Sequence, residues 1–125
     1  MKIELPESLR HRGPEGQPST IDSLVAELGL KTDAARVFLC YALENAILFD
    51  KKQQDYGSAN IARSGALGCV IRMGDKFERV FHLFMNKHRR TVNESIKDSF
   101  RDFSNYAIIA LMCEDGHWPG VGGDK

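Results

Sequence analysis

An all-α bundle is the fold this sequence predicts, on three observations. Apolar residues between positions 20 and 113 recur every three or four residues, the helical period. No run alternates apolar and polar residues with the two-residue period of a half-buried strand. Glycine and proline gather in residues 1–19, 53–68 and 114–125 and leave the periodic segments mostly clear. At 125 residues the chain has the size of one domain around one hydrophobic core.

Residues 1–19 hold Pro6, Gly13, Pro14, Gly16 and Pro18 among charges and read as an irregular arm. Thr20 or Asp22 caps a short helix to about Leu30, with Ile21, Leu24, Val25 and Leu28 as its apolar positions and Gly29 at its end. Thr32 or Asp33 caps a longer second helix to about Lys52, carrying Val37, Phe38, Tyr41, Leu43, Ile47 and Leu48. Residues 53–68, with Gly57, Gly65 and Gly68 among polar residues, read as a structured loop. A third helix runs from about Val70 to Lys87, with Phe77, Val80, Phe81 and Phe84 as its core side. After a turn at 88–91, Asn93 suits the N-cap of a fourth helix to about Cys113, whose core stripe is Val92, Ile96, Phe100, Phe103 and Ala107. Gly116, Pro119, Gly120, Gly122 and Gly123 make residues 114–125 a flexible tail. The expectation is one helical domain over residues 20–113, built from three long helices plus a short N-terminal helix.

Composition narrows the function classes. Seventeen basic residues balance seventeen acidic ones, so no global field draws the chain to nucleic acid or to a membrane surface. Cys40, Cys69 and Cys113 are odd in number and lack a CxxC spacing, which suits reduced thiols in the cytoplasm. No apolar run approaches the ~20 residues of a membrane span, and the opening MKIELPESLRHRG lacks a signal-peptide core, so a cytoplasmic location is expected. Neither a GxGxxG fingerprint nor a P-loop occurs. Cys113 and His117 stand four apart, but Gly116 interrupts the helix between them, and His82 and His88 lie elsewhere; no zinc site is expected.

The acidic residues carry the chemistry. Asp75 and Glu78 are three apart on the third helix, while Glu94, Asp98 and Asp102 follow at four-residue intervals on the fourth. At about 3.6 residues per turn each set lines one side of its own helix. One reading is a pair of solvated faces, with Asp75–Arg79 and Asp98–Arg101 as ordinary surface pairs. The other is a magnesium site for a nucleotide's phosphates. Like charges at i, i+4 and i+8 repel by a few tenths of a kcal/mol per pair, a repulsion that a cation among them relieves, and magnesium takes carboxylate, phosphate and water oxygens. Such a polar face, away from the core stripe, also suits a cleft against a second subunit. Glu44, among Tyr41, Leu43, Ile47 and Leu48, is either a further carboxylate of the site or half of a salt bridge at the core's edge.

Three runs in order bring a family into view: Lys51-Lys52-x-x-Asp55-Tyr56-Gly57, then Arg72-x-x-Asp75-Lys76-x-x-Arg79, then Asn93-Glu94-Ser95-Ile96-x-Asp98-x-x-x-Asp102-x-x-x-Tyr106. Over roughly residues 40–112 the chain resembles the nucleotide modification-associated domain of the first type. That family occurs in phages and bacteria and looks related to the all-α nucleotide pyrophosphohydrolases, the MazG and dUTPase/dCTPase group. The resemblance implies a MazG-like helical protein that handles nucleotides as a dimer or higher oligomer. The related enzymes place an ExxE pair on one helix and an ExxD pair on the next, all binding magnesium. Here Asp75 and Glu78 occupy the first pair, with Asp in place of Glu, and Glu94 and Asp98 the second, at a spacing of four instead of three.

Carried over residue by residue, the resemblance implies a magnesium ion held by Asp75, Glu78, Glu94 and Asp98. Glu78, Glu94 and Asp98 would be catalytic in releasing monophosphate and pyrophosphate from a nucleoside triphosphate. Lys76, Arg79, Lys87, Arg89 and Arg90 would neutralise phosphates. The last three also suit a helix C-terminus, and Lys76 and Arg79 also suit structural pairing with Asp75 and Asp102. Asp55, Tyr56 and Asn60 complete the nucleotide-binding set, with Tyr56 stacking on a base and Asn60 on its edge; Tyr56 as a plug of the bundle end, with Gly57 supplying a turn, is the alternative. Tyr106 reads as core, and Trp118 as a contact to a neighbouring subunit or the cap of a pocket. Three functions follow: a magnesium-dependent pyrophosphohydrolase; a non-catalytic nucleotide binder, such as a phage sponge for a nucleotide immune signal or an accessory to base modification; and a purely structural helical oligomer.

Overall fold

A computed structural model describes residues 20–86 and 95–121 of the chain. The described residues form four α-helices and no strand: α1 Thr20–Leu28, α2 Asp33–Tyr56, α3 Ala59–Met85 and α4 Ile96–Glu114. Local chemistry sets their ends. Gly29 adopts φ 71° after α1, and the Leu30 amide reaches back to the Val25 carbonyl at 3.0 Å, a glycine-terminated stop. Thr32 Oγ1 caps α2 by accepting from the Ala35 amide at 3.0 Å. Ser95 caps α4 by accepting from the Asp98 amide at 3.1 Å. Asn93, the residue expected in that role, lies outside the described residues.

The expected loop over residues 53–68 is mostly helix. α2 continues through Tyr56, stops at Gly57 (φ 68°), and α3 starts two residues later. Gly65, at φ 61° and ψ −147°, only kinks α3. Of the three glycines taken together as loop markers, Gly57 alone ends a helix, because one left-handed residue is enough to stop one helix and let the next begin.

The chain divides into two units at Leu48/Phe49. In the first, Arg36 Nε on α2 donates to Asp22 Oδ1 on α1 at 3.1 Å. The second holds the end of α2 with α3, α4 and the residues after them. Its core is Ile61, Cys69, Ile109, Cys113 and Trp118, with Phe49, Tyr106 and Val121 packed against it. Residues 115–121, expected as part of a tail, turn back onto this core. The His117 amide bonds to the Met112 carbonyl at 2.7 Å, and Trp118 is only 2% exposed.

α3 and α4 pack on each other with faces that match the expected stripes only in part: Val80, Ile96 and Ala107 are half-buried, and Val92 lies outside the described residues. Phe77, Phe81 and Phe84 on α3 are 54%, 55% and 61% exposed, and Phe100 and Phe103 on α4 are exposed as well. The buried positions are Ile61, Gly68, Cys69 and Leu83 on α3 and Ser99, Ile109 and Cys113 on α4. Arg79 donates to the fully buried Ser99 hydroxyl at 2.8 Å, so guanidinium and hydroxyl satisfy each other inside the seam. The periodicity marked the aromatic stripes correctly as stripes; what they pack against is a separate matter.

Candidate nucleotide site

The last two turns of α2 put Phe49, Lys52, Gln53 and Tyr56 at i, i+3, i+4 and i+7, one helical face. α4 does the same with Asp102, Asn105, Tyr106 and Ile109. These two faces line a cavity of about 350 Å³, to which α3 adds Asn60, Ile61 and Arg72, and Trp118 closes one wall. That volume lies near the small end of ligand pockets, which run from about 300 to 1,000 Å³. The wall is tied down at the α2–α3 junction. Trp118 Nε1 donates to the Ser58 carbonyl at 3.0 Å, the Gln53 amide donates to the Ser58 hydroxyl, and Trp118 meets Phe49 edge-on at 5.9 Å.

Three helices meet at one carboxylate. Lys52 Nζ of α2 lies 2.7 Å from Asp102 Oδ1, and Lys76 Nζ of α3 lies 3.1 Å from Asp102 Oδ2. The Asp102 side chain is 13% exposed, that of Lys76 21% and that of Lys52 47%. Beside them the Arg72 guanidinium sits 5.8 Å from the centre of the Tyr106 ring, a cation–π contact. Lys52 and Arg72 outnumber Asp102 on the wall, so the cavity favours an anion. Its aromatic rings and the amides of Gln53, Asn60 and Asn105 suit a flat, polar-edged group next to that anion.

The expected site residues separate into three groups. Tyr56 and Asn60 line the cavity, and Lys76 stands one contact behind it through Asp102. Arg79 goes to Ser99 and the Ser95 carbonyl, at 2.8 and 3.5 Å, and Asp55 is exposed at the end of α2. Asp75 and Glu78 are exposed on α3, because Lys76 and Arg79 take the positions that face α4. Asp98 opens α4 with its carboxylate 3.5 Å from Arg101. Glu94, Lys87, Arg89 and Arg90 lie outside the described residues. Among the described residues no three of His, Cys, Asp and Glu stand close enough to hold a metal ion, so Asp75, Glu78 and Asp98 do not form such a group by themselves. Glu44 is half-buried in the N-terminal unit.

Sequence reasoning passed over Lys52, Arg72, Asp102 and Asn105 as pocket residues; Tyr106, read as core, packs against the core and lines the cavity as well. The signal was present. Lys52, Arg72, Asp102 and Tyr106 all belong to the three runs quoted above, and the two i, i+3, i+4, i+7 faces mix aromatic with polar residues. Trp118 does cap a pocket, one of the two roles expected of it.

No curated protein and no solved structure matches the chain. Residues 52–113, which carry every pocket-lining side chain except Phe49 and Trp118, match the model of a family described as nucleotide modification associated domain 1.

Proposed function

We propose that this chain binds a nucleotide in the cavity between the end of α2, α3 and α4. One observation carries the reading: within the span that matches the nucleotide modification family, aromatic rings, amides and cations converge on one cavity of about 350 Å³. Tyr56 and Tyr106 offer faces for a base, Asn60 and Asn105 hydrogen-bond its edge, and Lys52 and Arg72 take its phosphate. Arg72 is the stronger orienting group, since a guanidinium grips a phosphate through two parallel hydrogen bonds where an ammonium acts as a point charge.

A second reading adds turnover. It rests on sequence spacing: Asp75 and Glu78 on α3, and Glu94 and Asp98 after them, resemble the paired magnesium ligands of MazG-like pyrophosphohydrolases. That set would supply a metal and an activated water. The exposed aromatic stripe from Phe77 to Phe84, joined to α4 through a Phe84–Phe100 contact at 6.2 Å, supports assembly with a second copy of the chain.

One experiment tests both. The protein is mixed with nucleoside mono- and triphosphates with and without magnesium, binding is followed by the fluorescence of its single tryptophan, Trp118, and the nucleotide is recovered after denaturation. Saturable quenching with intact nucleotide recovered is the expected result. Release of pyrophosphate that requires magnesium, and is lost in Glu94→Gln and Asp98→Asn, would establish the hydrolase. No fluorescence or melting response to any nucleotide would end both readings, since a ligand that binds the folded state must stabilise it.

A further inference from the structure

We infer that Lys52 changes partners when ligand binds, leaving Asp102 for the ligand's phosphate, while Lys76 keeps Asp102 in place. The inference rests on the nucleotide reading above and specifies which group in that site selects for the phosphate.

Asp102 has two cationic partners where one would neutralise it. They differ in a way that assigns their roles. Lys76 is largely covered and holds Oδ2 at 3.1 Å from the seam between α3 and α4. Lys52 is half exposed, holds Oδ1 at 2.7 Å, and lines the cavity itself. Moving Lys76 would cost more, because its side chain is largely covered and its pair with Asp102 joins α3 to α4. Lys52 can swing at little cost, because its stem is flexible and Asp102 stays paired without it. A phosphate entering beside Arg72 offers Lys52 a second anion, so Asp102 and the ligand compete for one ammonium. Once released, Asp102 Oδ1 is an open acceptor facing the cavity, matched to a hydroxyl or amino donor on the ligand. The ligand class this describes carries an anion and a neutral hydrogen-bond donor together, as a phosphorylated nucleoside does; inorganic phosphate or a bare nucleoside satisfies half of it.

The test is the ratio of affinities for a nucleoside monophosphate and its parent nucleoside, by calorimetry in EDTA and again in magnesium. The ratio cancels contacts to base and sugar and reads the phosphate position. Lys52→Met should lower it on the order of tenfold through a loss of monophosphate affinity, that of one charge-assisted hydrogen bond, with nucleoside affinity held or raised because Asp102 Oδ1 is then open. Asp102→Asn removes the competing anion and should raise it several-fold, in EDTA as in magnesium. A ratio unmoved by Lys52→Met overturns the exchange, and so does a ratio that Asp102→Asn lowers, with or without magnesium, since Asp102 would then aid the phosphate. Lys52→Met changes a half-exposed side chain and leaves the Lys76–Asp102 pair intact, so it stands if Asp102→Asn fails to fold. If the unaltered protein binds neither compound, the nucleotide reading itself fails and the exchange falls with it; nucleoside binding with an unmoved ratio removes only the exchange.

Discussion

The face that α3 and α4 turn toward each other sets polar pairs among apolar residues such as Leu83 and Ile109, and the face they turn outward is aromatic. Inside run the Lys76–Asp102 pair, the Arg79–Ser99 hydrogen bond and the Cys69 and Cys113 thiols. Outside, Phe77 stacks on Phe81 at 6.1 Å, and Phe84 meets Phe100 across the two helices. Covering charges is costly unless each finds a partner, so a seam built this way contributes less to stability than an apolar one of equal area. What it supplies is position. The same side of α3 that brings Lys76 to Asp102 brings Arg72 to the cavity, and the same side of α4 carries Asp102, Tyr106 and Ile109. The inner face is ordered for a site, and the outer face is free to meet another surface.

The largest expected effect is at the end of the inner face, where Trp118 joins the buried cluster of Ile61, Cys69, Ile109 and Cys113. Trp118→Ala removes a side chain that is 2% exposed, together with its hydrogen bond to Ser58. It should cost about 3–5 kcal/mol in urea unfolding followed by circular dichroism. A cost below about 1 kcal/mol would mean that the residues after α4 do not hold this packing in solution.

Ser99→Leu should come next. The site has no exposed surface, and the larger side chain both overfills the seam and takes the acceptor from Arg79. Overpacking of this kind costs about 1–3 kcal/mol, with the lost Arg79–Ser99 hydrogen bond adding to it. Phe81→Glu on the outer face should leave the stability of the folded chain within about 0.5 kcal/mol, as at other exposed positions. If a second copy covers that face, the same change should convert the associated species to monomer in sedimentation. An outer-face cost equal to that of Ser99→Leu would erase the distinction between the two faces.

This contrast explains what the sequence discloses and what it withholds. Helical period is a property of one strand of chain, so the helices and their all-α class were legible from the spacing of Phe77, Val80, Phe81 and Phe84 alone. Which stripe turns inward depends on what the neighbouring helix offers, and Asp102 and Ser99 offer a salt bridge and a hydrogen-bond acceptor to Lys76 and Arg79. Hydropathy ranks phenylalanine above lysine at every position and carries no information about such pairing. The site was legible in part for the same reason. Tyr56 and Asn60 stood out as loop residues, and they do line the cavity. Asp102 was legible as a partner for Lys76, which it is; Lys52 acquires a role only when residues fifty apart in sequence come within 2.7 Å.

The smallest effect sharpens the comparison through the three thiols. Burial pushes the Cys69 thiol above its usual pKa, neighbouring Cys113 adds to this, and Arg72 offsets part of it. Burial likewise raises Cys113. Both thiols are therefore held protonated within the seam, and the thiolate is the form that reacts. Cys40 is half-buried on α2, outside the seam. In the native protein a thiol reagent should modify Cys40 first, with Cys69 and Cys113 reacting only as the chain unfolds. A raised folded-state pKa favours the fold below the unfolded thiol value, near about 8.5, and that contribution is lost as pH rises through the folded one. Melting temperature should thus begin to fall from about pH 8.5 upward, and the fall should shrink in Cys69→Ala. If Cys69 reacts as fast as Cys40 at neutral pH, the seam between α3 and α4 opens on the timescale of the reaction, and the inner face is no better protected than the outer.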